Sequence, residues 1–168
     1  TRIQATGYQP AATGGMVVPQ IGANGRVVGQ VTIDPRVVSS IQQHFPESEW
    51  ETAYLVHAAE TGGRLDAINP TSGTAGAFQL HPDQMEFYSR VLGVPVTPAS
   101  LAANPDLAVR IARMQWERNK GWGRQSGNPW EVAPNIWRYY DTRGYANGTP
   151  KGGLVLDEMA YIIGESGK

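Results

Sequence analysis

The run from Glu49 to Leu80, EWETAYLVHAAETGGRLDAINPTSGTAGAFQL, constrains the fold more than any other part of the chain. Ser48-Glu49-Trp50-Glu51 has the form of a capping box. In such a box the Ser48 hydroxyl is expected to accept from the Glu51 N–H, and the Glu51 carboxylate to reach back to the Ser48 N–H. The spacing predicts a helix from there to about Glu60, stopped by Gly62 and Gly63. Ala53, Val56, His57 and Glu60 fall along one side of it. Leu55, Ala58 and Ala59 widen the apolar surface, so most faces need cover and the helix has to be central. Arg64 to Thr74 reads as loop, punctuated by Asn69-Pro70 and Ser72-Gly73. Ala75 to Leu80 reads as a short strand or extended segment.

The rest of the chain supplies the cover. Before residue 34 there is no helical period. Asn24-Gly25 is a type I′ turn signal between Val17, Val18, Ile21 and Val27, Val28, Val31, Ile33, so residues 1–33 read as a hairpin or as an arm on the main domain. Asp34-Pro35 opens a helix with Val37, Val38, Ile41 and Phe45 as its stripe, ended at Pro46. Pro82 starts another, with Met85, Tyr88, Val91 and Leu92 inward and Gly93 as its stop. Thr97-Pro98 opens a short helical turn. Asn104-Pro105-Asp106 starts a long helix that buries Leu107, Ala108, Ile111, Ala112 and Met114 and ends at Lys120-Gly121. Asn128-Pro129 begins a helical piece interrupted at Pro134. From Asp141 the composition turns to Gly, Asn, Thr, Pro and Lys, a linker-like run. The expectation is one mainly helical domain, 34–140, between glycine-rich flanks at 1–33 and 141–168.

Totals exclude several classes. With 168 residues, one domain with a real core is expected. The net charge of −1 comes without a basic run, so nothing points to nucleic acid. The chain has no cysteine, which removes disulfides, thiolate metal sites and a Cys nucleophile. No apolar run approaches a membrane span. The three histidines make no metal spacing with the acids, and no cofactor motif is present. The N-terminus lacks the layout of a signal peptide, and the start without Met leads to the expectation of a fragment or a processed product.

Glu60 is the candidate catalytic residue. It follows strongly apolar turns, and it sits at the helix end whose partial negative charge disfavours a carboxylate. Desolvation and dipole both raise its pKa, as a general acid at neutral pH requires. A loop rich in hydrogen-bonding groups (Asn69, Thr71, Ser72, Thr74, Gln79) follows directly, as a sugar-binding cleft needs. Taken alone, these signals leave a solvated surface charge as an equal reading. His57 reads as a buried, hydrogen-bonded histidine.

The stretch AAETGGRLDAINPTSGTAGAFQL resembles the signature of the soluble lytic transglycosylases and goose-type lysozymes, glycoside hydrolase family 23. In that pattern a Glu-Ser closes a helix, Gly and polar residues follow, and then comes A-x-N-x-x-S-G-A-x-G-L-x-Q-I/F. Glu60 matches the catalytic Glu, Thr61 replaces the Ser, and Asn69, Ser72, Gly73, Gly76, Phe78 and Gln79 match the later part. The family's Ala/Asn-rich helix leading to a tyrosine is poorly kept. LAVRIARMQWERNKGWGRQ is its counterpart, with Trp116, Asn119 and Trp122 as candidate cleft residues and Tyr139 or Tyr140 as the cleft tyrosine. Trp122 and Trp130 are the best aromatic candidates for a cleft wall.

The resemblance, from about Ser48 to Tyr140, implies a mainly α, lysozyme-like fold with a small β or extended segment near the cleft. It implies cleavage of the glycosidic bond between N-acetylmuramic acid and N-acetylglucosamine, with peptidoglycan strands as partner and no cofactor. Glu60 would be the acid. Thr61, Asn69, Ser72, Gly76, Phe78, Gln79, Trp122, Tyr139 and Tyr140 would bind substrate. A two-carboxylate mechanism needs a partner acid. Asp66, Asp83 and Glu86 are the candidates, and none holds a place reserved by the pattern. That favours single-acid transglycosylation over lysozyme-type hydrolysis. Thr61 and the poorly kept third motif leave room for a catalytically weak glycan-binding or structural module.

The C-terminal run YANGTPKGGLVLDEMAYIIGESGK resembles a segment recurrent in phage tail tape measure proteins, through Gly152, Gly153, Leu154, Val155 and then Ile163, Gly164, Glu165, Gly167. Tape measure proteins commonly carry such domains. That resemblance implies a virion tail acting on the bacterial wall, with other tail proteins as possible partners. The alternative is a secreted bacterial wall-remodelling enzyme.

Overall fold

Asn24 and Gly25 turn the chain back on itself as their sequence predicts. Both lie in the left-handed region, at φ 60° and 77°, and the Arg26 N–H donates to the Ala23 oxygen across them. The computed structural model describes residues 9–10, 15–123 and 130–143. In it, β1 (Gln9–Pro10), β2 (Met16–Ile21) and β3 (Val27–Ile33) form an antiparallel sheet in the order β1-β2-β3. β2 and β3 pair from Met16↔Ile33 to Ile21↔Val27, with an irregularity at Gln20/Ile21. So residues 16–33 are a hairpin rather than an arm. Met16, Val18, Ile21, Val31 and Ile33 bury one face of it, while Val28 on the other is exposed. The turn docks on the last described helix. A Cβ on Gly25 would stand 2.5 Å from the Tyr139 nitrogen, so only glycine fits there.

Six α-helices follow among the described residues: α1 (Pro35–His44), α2 (Glu47–Thr61), α3 (Pro82–Leu92), α4 (Pro98–Ala103), α5 (Pro105–Arg118) and α6 (Ala133–Asp141). Their starts are mostly local chemistry. Asp34 accepts from the Arg36 N–H, Thr97 and Ser100 form a capping box, and Asn104 accepts from the Leu107 N–H, each ahead of a first-turn proline.

The start of α2 departs from expectation. Ser48 is not its cap. Pro46, at φ −65° and ψ 153°, ends the preceding turn, and its carbonyl accepts from the Glu49 N–H, so the helix begins at Glu47. Glu51 is consequently turned inward and buried. Pro134 likewise does not interrupt a helix; it lies in the first turn of α6, where a missing N–H costs nothing. Val91 was expected inward and is 51% exposed. Met85, Tyr88 and Leu92 make the inward face of α3, and Val91 falls off that spacing.

α2 is the central element. Residues Glu51 to Ala58 are all buried, and the helix packs on α1, α6 and both strands of the hairpin. One apolar cluster contains the hairpin's inner face and the helices together, so a single core spans both sides of residue 33. The molecule is mainly helical with a small antiparallel sheet. No helix among the described residues is long and apolar enough to cross a membrane. The expectations for residues 144–168, including the Gly152–Gly167 motif, lie outside the described residues.

Candidate functional site

The end of α2 is built to hold a side chain still. Gly62 takes φ 65° and its N–H returns to the Ala58 carbonyl, closing the helix. Thr61 donates its hydroxyl to the His57 carbonyl at 2.8 Å and accepts from the Gly63 N–H at 3.0 Å. Gly63, at φ 86°, is pressed against the hairpin, where an added Cβ would meet Val31 at 2.5 Å. His57 ties the same turn to the loop beyond. Its Nδ1–H donates to the Ala77 carbonyl at 2.6 Å, and burial lowers its pKa to about 4, so the ring is neutral.

Glu60 projects from this anchored turn onto a cavity of about 810 Å³. Asn69, Ser72, Thr74 and Gln79 from the loop line it, with His81, Gln84 and Tyr88 from the start of α3. Gln115, Arg118 and Asn119 line it from the last turns of α5, and Glu131 from the turn before α6. Desolvation pushes Glu60 up to about 7, and the negative charge of Glu131 adds to it. The helix end contributes no basic residue, and Glu60 makes no hydrogen bond or ion pair among the described residues. A carboxyl group that keeps its proton near neutral pH, beside a polar cavity of ligand size, can protonate a leaving oxygen and take a proton back.

The 64–80 loop is held by its own side chains. Asn69 Oδ1 accepts from the Thr71 and Ser72 N–H groups. Gln79, itself at φ 53°, donates to the Ala67 and Gly76 carbonyls at 3.0 Å each and accepts from Thr74 at 2.8 Å. Asn69, Ser72 and Gln79 therefore meet Glu60 at the cavity as expected, but much of their bonding capacity is spent on the loop's shape. Ala75–Leu80 is no strand; the two ends form a single bridge around a tight turn, which Gly76 at φ 84° permits.

The remaining sequence candidates do not line the cavity. Thr61 caps the helix. Gly76 is buried, and a Cβ there would press on Leu101 at 3.0 Å. Phe78, Trp122 and Trp130 are core. Trp122 stacks on Phe45 with centroids 5.2 Å apart and lies 4.8 Å from Trp130, and their indole N–H groups go to Glu49 and the Phe78 carbonyl. Tyr139 and Tyr140 are both 0% exposed. The Tyr140 hydroxyl meets that of Thr52, and Arg143 lies over the Tyr139 ring. Trp116 packs edge-on to Phe45. Aromatic side chains had two possible uses, and the core took them.

The partner-acid candidates fall elsewhere too. Asp66 faces Arg64, Asp83 faces His81 and Glu86 faces Arg90, all exposed. The carboxylate that shares the cavity is Glu131, which the sequence reading did not single out. Its signal was faint: it is the one acid between Glu117 and Asp141. Gln115 and Arg118 were also missed, although their spacing with Asn119 puts all three on one helix face.

Compared with protein-family models, with curated proteins and with solved structures, the chain finds no match in any of the three.

Proposed function

We propose that this chain is a peptidoglycan lytic transglycosylase with Glu60 as its single acid and base. The observation that carries the proposal is the state of Glu60: a proton held to about pH 7, on a rigid helix end, at the wall of a polar cavity. The Glu60-to-Gln79 resemblance gives the substrate. Glu60 donates its proton to the oxygen linking N-acetylmuramic acid to N-acetylglucosamine, and the C1–O bond breaks. The acetamido carbonyl of the muramoyl residue bonds to C1 and carries the developing charge. Glu60, now a carboxylate, takes the proton of the C6 hydroxyl, whose oxygen displaces the acetamido oxygen at C1. The product is a 1,6-anhydromuramoyl end, and Glu60 is again protonated. The C-terminal resemblance supports a setting in a phage tail that opens the wall locally, beside other tail proteins. A full-length gene of ordinary enzyme size, away from tail genes, would refute that setting. Turbidity clearing of purified cell walls tests the enzyme itself: the folded Glu60→Gln variant should fail to clear them.

Glu131 favours a second reading, hydrolysis. A second carboxylate in the cavity can take a proton from water as the oxygen attacks C1 while Glu60 protonates the leaving oxygen. Glu131→Gln separates the two. Under transglycosylation it keeps cleavage and moves the basic limb of the pH profile down, because a charge raising the Glu60 pKa is gone. Under hydrolysis it stops cleavage.

A further inference from the structure

α5 presents to the cavity a group that the cleavage step does not use. Gln115 lines the cavity and is 7% exposed. Its side-chain amide makes no hydrogen bond among the described residues. The neighbouring amide, Asn119, is spent on the main-chain oxygen of Gln115 at 2.7 Å and leaves the side chain alone. Ser40, Thr52 and His57, also buried, each make at least one side-chain hydrogen bond. Ser40 bonds Asp106, Thr52 bonds Tyr140, and His57 bonds the Ala77 carbonyl. The Gln115 amide is not sealed in the core but opens on the cavity, so its unused donors and acceptor are available to a ligand there.

The chemistry of the gap identifies the ligand group. A glutamine amide offers N–H donors and a carbonyl acceptor side by side. Its complement is another amide, with one N–H and one C=O, as an acetamido group provides. An ammonium has donors only and leaves the Gln115 N–H unmet.

We infer that Gln115 reads an acetamido group, pairing with an N-acetyl substituent of a sugar held in the Glu60 cavity and selecting N-acetylated over de-N-acetylated glycan. The inference takes its ligand class from the reading of Glu60 as a glycan-cleaving acid, and it assigns a specificity residue to that site.

Binding tests it apart from cleavage. The full chain carrying Glu60→Gln is titrated calorimetrically with N-acetylchitotetraose and with the fully de-N-acetylated tetraose. The N-acetylated form should bind at least about tenfold tighter. Adding Gln115→Leu should weaken that binding about tenfold to a hundredfold and erase the preference. The same substitution should leave the unfolding midpoint essentially unchanged, since the Gln115 side chain makes no hydrogen bond among the described residues. Gln115→Glu, which lacks the N–H donors, should weaken binding as well. Equal affinity for the two oligosaccharides, no binding of either, or an unchanged affinity in Gln115→Leu overturns the inference. Failure of the enzyme reading looks different: wall cleavage independent of Glu60, with Gln115-dependent binding intact.

Discussion

Glu49 and Glu60 sit near opposite ends of α2, and burial pushes both carboxyls up. At the N-terminal end everything offsets the desolvation. The Trp122 indole donates to Glu49 at 2.9 Å, Arg113 adds a positive charge, and the helix end itself favours an anion. At the C-terminal end nothing does. Glu60 has the wrong end of the helix, no donor among the described residues, and the like charge of Glu131. Glu49 is a structural acceptor for the Trp122 indole. Glu60 is a proton kept ready beside a cavity. Burial alone therefore does not single out a candidate acid; burial without compensation does.

The largest expected effect falls on Glu60. Glu60→Gln should cost about 10²–10⁴-fold in wall cleavage, the usual worth of a general acid. It should also stabilise the fold. The folded pKa lies above the unfolded value, so the contribution of Glu60 is present below about 4.5 and is lost as pH rises through about 7. Urea titrations should show the variant equal to wild type near pH 4 and ahead by up to about 3 kcal/mol at pH 8. No gain at pH 8 would contradict the uncompensated burial of Glu60.

His57 should show the opposite sign. Its folded pKa of about 4 lies below the ordinary 6.5, so its contribution is present above about 6.5 and is lost as pH falls through about 4. His57→Gln, which keeps an N–H for the Ala77 carbonyl but does not titrate, should lose up to about 3 kcal/mol less than wild type between pH 7 and pH 4. The two slopes oppose each other across the same window, so Glu60→Gln should make the acid sensitivity from His57 more visible in denaturant midpoints.

Smaller effects test the other end of the helix. Glu49→Ala strands the Trp122 N–H and should cost about 1–3 kcal/mol with cleavage retained, whereas Glu49→Gln keeps an acceptor and should cost less. Asp66→Asn and Asp83→Asn, on exposed carboxylates outside the cavity, should stay within about 0.5 kcal/mol and leave cleavage intact.

What could be read in advance follows from how local each signal is. Caps, proline starts and glycine stops act within one turn, so α1, α3, α4 and α5 appear where Asp34, Pro82, Thr97 and Asn104 place them. Ser48 misled because Pro46, two residues earlier, already set the backbone. Glu60 was legible because its position combines helix end, apolar turns and a polar loop in one stretch. Trp122, Tyr139 and Tyr140 were not, since an aromatic ring suits a cleft wall and a core equally and only packing decides between them. Glu131 and Gln115 reach the cavity through the tertiary arrangement of α5 and α6, which no spacing near Glu60 encodes.

Mass spectrometry of the fragments released from purified peptidoglycan, by wild type and by Glu60→Gln side by side, tests Glu60 most directly. A single-acid transglycosylase gives muropeptides ending in 1,6-anhydromuramic acid, one water lighter than hydrolytic products, and the variant releases none. Fragments with reducing ends would assign hydrolysis instead. Undiminished release by Glu60→Gln would contradict the role given to Glu60 altogether.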